Sequence, residues 1–180
     1  MKKLLLLLIL ALGGVSLQAQ QRISGQWVLK ASGGVQINNL GYSASLGFEK
    51  LFQNTKHSIQ FEIAFRGQKF NTRPKTEQKI QGHTYEALAY YNYTFVQNRI
   101  LYISVMGGGF LGYESYSLNH PELFLEKSGN FAAGIAIAFQ IEFKTSKRFN
   151  LFVQPTFLYN IASPEENARI LALLGGKYYF

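Results

Sequence analysis

Cysteine and aspartate are both missing from this chain, and each absence closes off chemistry. Without a thiol there is no disulfide, no cysteine nucleophile, no thiolate metal site and no lipidated N-terminal cysteine. All 10 acidic residues are Glu, which thins the options for metal ligands and acid–base pairs. Charge of either sign is scarce, at 16% of residues against roughly 25% in an average soluble domain. A sustained helical period is missing too, outside the leader described next.

What is present begins with "MKKLLLLLILALGGVSLQAQ". Lys2 and Lys3 precede an apolar run from Leu4 to Leu12, followed by small and polar residues ending near Ala19. That layout is a secretory signal peptide, and the run is short for a membrane-spanning helix. The expected organisation is therefore a leader over 1–19 and one domain over 20–180. Removing Lys2 and Lys3 lowers the net charge from +8 to +6. These charges are scattered and form no obvious stripe, so direct nucleic-acid binding is not expected.

From Gly25 onward the chain alternates with a two-residue period, and eight strands are expected. The first lies near Gly25 to Ser32. The others centre on "YSASLGFEKLF", "HSIQFEIAFRG", "TYEALAYYNYTFV", Arg99 to Glu114, "FAAGIAIAFQIEF", "FNLFVQPTFLYN" and "ILALLGGKYYF". Short connections ("QNTK", "QN", "TSKR") alternate with long ones over 33–40, 70–82, 115–128 and 161–169. Short turns at one end and long loops at the other are the layout of a transmembrane up-and-down barrel. The expected fold is all-β: an eight-stranded antiparallel barrel with long loops facing outside. Pro155 is the awkward residue, because a closed barrel has no edge strand to accommodate it.

Alternation alone does not say which face is wet, since a soluble barrel buries its large face. The small-residue faces here are too poor in charge for a water-facing surface. They carry Lys30, Glu49, Glu62, Arg66, Glu86, Glu142 and Lys177, three cations and four anions. Such a set suits a narrow lumen in which buried charges pair. The large faces have no charge in their middles, as lipid contact demands, and aromatics gather near the short turns (Phe48, Phe52, Tyr93, Phe95, Phe149, Tyr178, Phe180). The terminal "GGKYYF" resembles the aromatic last strand by which outer-membrane proteins are recognised for insertion. An eight-stranded barrel is just wide enough for side chains to fill, so a diffusion pore is not expected.

Chemistry-bearing residues are few. His57 falls beside a short turn, His83 at the base of a long loop and His120 within another. His83 and Glu86 are near in sequence but on opposite faces of a regular strand. No Ser has an identifiable base, so no catalytic, cofactor-binding or metal-ligating residue is named and no cofactor is expected. Two loops stand out. One carries Arg66, Lys69, Arg73, Lys75 and Lys79 opposed by Glu77, and reads as a solvated run or a contact with anionic lipopolysaccharide, a cell surface or a protein. The other carries Leu118, Leu123, Phe124 and Leu125, a contact site or a plug over the barrel mouth.

The strand "HTYEALAYYNYTFV", the segments "LYISVMGGGFLGYESY" and "GNFAAGIAIAFQIEF", the leader end "LQAQQR" and the terminal "YYF" together resemble the conjugative-transposon TraO proteins. The segment from Gly107 to Glu114 carries most of that likeness, since barrels in general do not need it. The resemblance implies an exported component of a conjugal DNA-transfer apparatus, encoded with other transfer proteins; joined to the barrel reading, it makes a non-enzymatic outer-membrane component of that apparatus, with other transfer proteins as partners, the expected function. It supplies no functional residues. The alternatives are a general small outer-membrane barrel for adhesion or envelope integrity, and a lipid-modifying outer-membrane enzyme. In each case outer-membrane lipid is an expected partner.

Overall fold

In the computed structural model the described residues are 22–38, 41–71, 79–117, 129–162 and 168–180. The leader therefore lies outside them, as do His120 and the tips of the two unusual loops. Eight strands run in chain order: β1 (Trp27–Gln36), β2 (Gly41–Leu51), β3 (His57–Asn71), β4 (Lys79–Gln97), β5 (Leu101–Ser117), β6 (Gly129–Lys144), β7 (Phe149–Asn160) and β8 (Ala168–Tyr179). Each pairs antiparallel with its chain neighbour, and β1 pairs with β8 from Val28↔Tyr179 to Gln36↔Leu171. The barrel closes, so no strand is left as an edge.

Alternation sets the wall. In β7 the burial pattern switches at every residue, with Asn150, Phe152, Gln154, Thr156, Leu158 and Asn160 inside. Outside, Leu46, Ile63, Leu111, Ile137 and Leu174 are each more than half exposed. A soluble protein does not leave so much contiguous large apolar surface in water. Hydrocarbon accepts it, because every backbone group is paired within the sheet.

Several close approaches explain small residues. A Cβ on Gly108 would run into the Ala89 carbonyl oxygen, so that strand contact requires glycine. Its neighbour Gly107 points outward with open space around it. The fold thus requires glycine at Gly108 and not at Gly107. Elsewhere an aromatic ring on the adjoining strand lies over a glycine: Phe110 over Gly134 and Phe152 over Gly175 inside the barrel, Tyr42 over Gly67 outside it. These cross-strand pairs fill the gap that a missing side chain leaves.

Pro155 is accommodated without an edge. It pairs with Ala172 on β8, while the β6–β7 ladder skips from Ala138↔Thr156 to Ile141↔Val153. The register on either side of the gap is the same, so the missing N–H costs local pairing and no slip. A bulge between Thr94 and Val96 similarly adjusts β4 against β5 near a short turn.

Candidate functional site

The interior is where chemistry gathers, and it is built from the inward residue of every strand. Five cations and five carboxylates are buried there among the described residues: Arg22, Lys30, Arg66, Arg169 and Lys177 against Glu49, Glu62, Glu86, Glu114 and Glu142. All seven lumen charges expected from alternation are among them. Arg22, Arg169 and Glu114 are additions, and they bring the balance to neutrality.

Toward the short-turn end, Glu142 accepts from Arg22 at 3.0 Å, from Asn150 at 2.6 Å and from the Tyr179 hydroxyl, with Lys177 at 3.2 Å. Lys177 also donates to Glu49 at 2.6 Å and to Gln140 at 2.7 Å. Glu49 in turn accepts from Ser58, and from Asn92 at 3.1 Å. Gln140 donates to Gln154 at 3.0 Å, and Gln154 accepts from Lys30, which is paired with Glu62. One continuous polar network therefore runs from Arg22 to Glu62. Toward the long-loop end a second group forms around Glu86, held between Arg66 and Arg169, the latter at 2.6 Å. Arg169 also donates to Asn160 at 3.1 Å. Tyr90, Met106, Phe110, Leu158, Leu171 and Leu173 occupy apolar parts of the same interior.

Arg22 enters this network from outside the strands. Gly25 has φ +75°, the left-handed region that favours glycine, and the turn there closes with Gln26 N–H on the Ile23 carbonyl at 3.2 Å. The turn folds the preceding residue back under the barrel. Arg22 then donates to Thr94 Oγ1 at 2.7 Å, and its guanidinium lies 4.1 Å from the Tyr102 ring centre. Burial works against its charge, but Tyr179, Glu142 and Glu49 outweigh it and hold the guanidinium above its ordinary range.

The histidines and Glu86 do not assemble. His83 is on the outer side, stacked on Phe65 with centroids 5.6 Å apart, while Glu86 is in the lumen. His57 is near the short-turn end, its Nδ1 2.5 Å from the Tyr91 hydroxyl. Among the described residues, no group of three or more His or Glu could hold a metal ion.

The outer face has two aromatic belts where the sequence showed one. Near the short turns, Trp27 meets Phe48 at 5.9 Å and Tyr178 meets Phe180 at 5.1 Å. Near the long loops, Tyr42 and Tyr85 lie 6.0 and 5.3 Å from Phe65, and exposed Tyr113, Phe131 and Tyr159 continue the band. Two such bands flanking an apolar waist are the arrangement a bilayer selects.

No family model matches the chain, and no curated protein does. Solved structures do. A major outer-membrane protein from Thermus thermophilus superposes with a TM-score of 0.65 at 9% identity, over 86% of this chain and 98% of that one. Neisserial surface protein A gives a TM-score of 0.58 at 15% identity, covering 89% of this chain and all (100%) of that one. Ail, the attachment invasion locus protein of Yersinia pestis, seen in complex with a heparin analogue, gives 0.58 at 13%, covering 88% and 100%. At such identities the likeness speaks to architecture: the chain has the fold of small eight-stranded outer-membrane β-barrels.

Proposed function

We propose that this protein is a non-enzymatic outer-membrane barrel serving adhesion or envelope integrity, with loops as its working surface and the lumen as an internal strut. The observation that carries this reading is the lumen itself. Among the described residues, ten buried charges of balanced sign, tied into side-chain networks, fill the interior. The solved barrels it resembles include an attachment invasion locus protein, which supports a surface role. The apolar waist and aromatic belts support residence in the outer membrane, with the long loops outside.

Cell fractionation and gel mobility before and after boiling test the location: the folded form migrates differently and follows the outer membrane. Planar-bilayer recording tests the strut, with no stable conductance expected. A freely soluble periplasmic protein, or a steady open channel, overturns the respective claim. Deletion should lower attachment to surfaces or raise sensitivity to detergent.

A second reading rests on the TraO-like segment from Gly107 to Glu114. Gly107 has open space where a side chain would fit, so the fold does not require glycine there. In this reading the barrel belongs to a conjugal DNA-transfer apparatus and contacts other transfer proteins. Mating frequency after deletion distinguishes the two: unchanged transfer removes the conjugation role.

A further inference from the structure

The net charge has an address. The lumen is balanced at five against five. The sequence stretches 68–81, 118–128 and 161–167, at the long-loop end, together hold five Lys or Arg and five Glu. What remains is Lys50, Lys56, Arg99, Lys144, Lys147 and Arg148, all at the short-turn end, with no side-chain carboxylate exposed beside them among the described residues. The whole +6 of the chain beyond the leader is therefore concentrated in one collar.

This collar sits at a defined depth. Lys50 Nζ lies 4.4 Å from the centre of the Trp27 ring on the outer face, whereas Lys144 Nζ lies 4.1 Å from that of Tyr102, a buried ring at the mouth of the lumen. Arg148 reaches the Tyr178 hydroxyl at 3.5 Å. Trp27 and Tyr178 belong to the aromatic belt that marks a bilayer interface, so Lys50 and Arg148 stand at headgroup level. The turns that carry them are internally tied. Asn98 Oδ1 accepts from the backbone N–H groups of Ile100 and Leu101, and Ser146 Oγ accepts from that of Phe149. No Glu side chain is exposed beside these turns among the described residues, although the buried Glu142 lies near Lys144.

We propose that the short-turn collar binds the phosphate groups of anionic phospholipids and selects them for the leaflet around that end of the barrel. The inference rests on the membrane-spanning reading and adds to it a headgroup class and a leaflet. Lipid phosphate supplies the missing negative charge at the right depth, and cations carried on three separate turns can engage several headgroups at once. The long-loop end, balanced in charge, has no comparable preference.

Trp27, the sole tryptophan, lies inside the collar and reports on it directly. The test reconstitutes the protein into vesicles of phosphatidylcholine mixed with phosphatidylglycerol, one of the two carrying brominated acyl chains that quench nearby indole. The expected result is quenching by the brominated phosphatidylglycerol that corresponds to roughly fivefold tighter association, the preference one interfacial cation supplies. That preference falls in molar salt and survives millimolar inorganic phosphate. It is lost in the quadruple variant Lys50→Gln/Lys56→Gln/Lys147→Gln/Arg148→Gln, which removes the charge beside Trp27 and three others of the collar and leaves the lumen intact. Equal quenching by the two lipids in the unaltered protein overturns the collar and leaves the membrane reading standing. Absence of quenching by either lipid overturns both. Abolition by inorganic phosphate would show a free-anion site and overturn the lipid assignment.

Discussion

Lys177 and Tyr178 are neighbours in β8, yet they face opposite solvents. Lys177 is fully buried between Glu49 and Glu142, while Tyr178 is 38% exposed beside Phe180. The same division runs round the barrel: charged groups are sealed inside, beside apolar ones such as Phe110 and Leu158, and the outer wall displays Leu, Ile and Phe. Burial and polarity are thus uncoupled in this molecule. Inside, a charge is tolerable because a partner of opposite sign is within reach. Outside, hydrocarbon offers none, so charge is confined to the rims, where water and headgroups begin.

The largest break in this division comes from the wall that separates the two sides. Gly108→Val places a branched side chain against the Ala89 carbonyl, and refolding into detergent or lipid is expected to fail, read as loss of the heat-shifted gel band. Next is the interior rule. Glu142→Leu strips the shared carboxylate from Arg22 and Lys177, at an expected cost of about 3–5 kcal/mol in urea unfolding followed by Trp27 emission. The double variant Arg22→Met/Glu142→Leu should recover part of that loss, since one orphaned cation is gone. The exterior rule gives a smaller effect. Ile137→Lys, on the outer face of β6, is expected to cost roughly 2–4 kcal/mol in vesicles. The smallest change has the opposite sign. Gly107→Ala meets no atom within 4 Å and should stabilise by about 0.5–1 kcal/mol in the same titration. If Gly107→Ala also impairs attachment or transfer while the fold is intact, that position has a contact role.

Much of this division was legible in the residues. Phe131 to Phe143 alternates so strictly that its Ile and Phe face is outward throughout, and Gln140 and Glu142 join the lumen network as their parity requires. Seven lumen charges followed from the same rule, as did the separation of His83 from Glu86. Arg22 did not follow, because it precedes every strand and no period assigns it a side; the turn at Gly25 does that. Arg169 fell within a stretch that reads as loop until Ile170 starts a visible alternation. The second aromatic belt was hidden for another reason: Tyr42, Phe65 and Tyr113 belong to strands of unequal length, and only the register brings them level.

Strand count, the alternation of turn lengths and the sidedness of nearly every wall residue are written in the chain itself. Those properties are local, because a two-residue period is set within each strand without reference to any other. Closure of β1 on β8, the pairing of Glu86 with both Arg66 and Arg169, and the folding of Arg22 under the lumen belong to the folded barrel alone. Each joins residues far apart in the chain, and which charge meets which depends on the tilt and stagger of the strands once the barrel has closed. The concentration of the net positive charge at one rim arises from both. Its members can be counted in the sequence, but they become a collar only when three separate turns are brought to the same end.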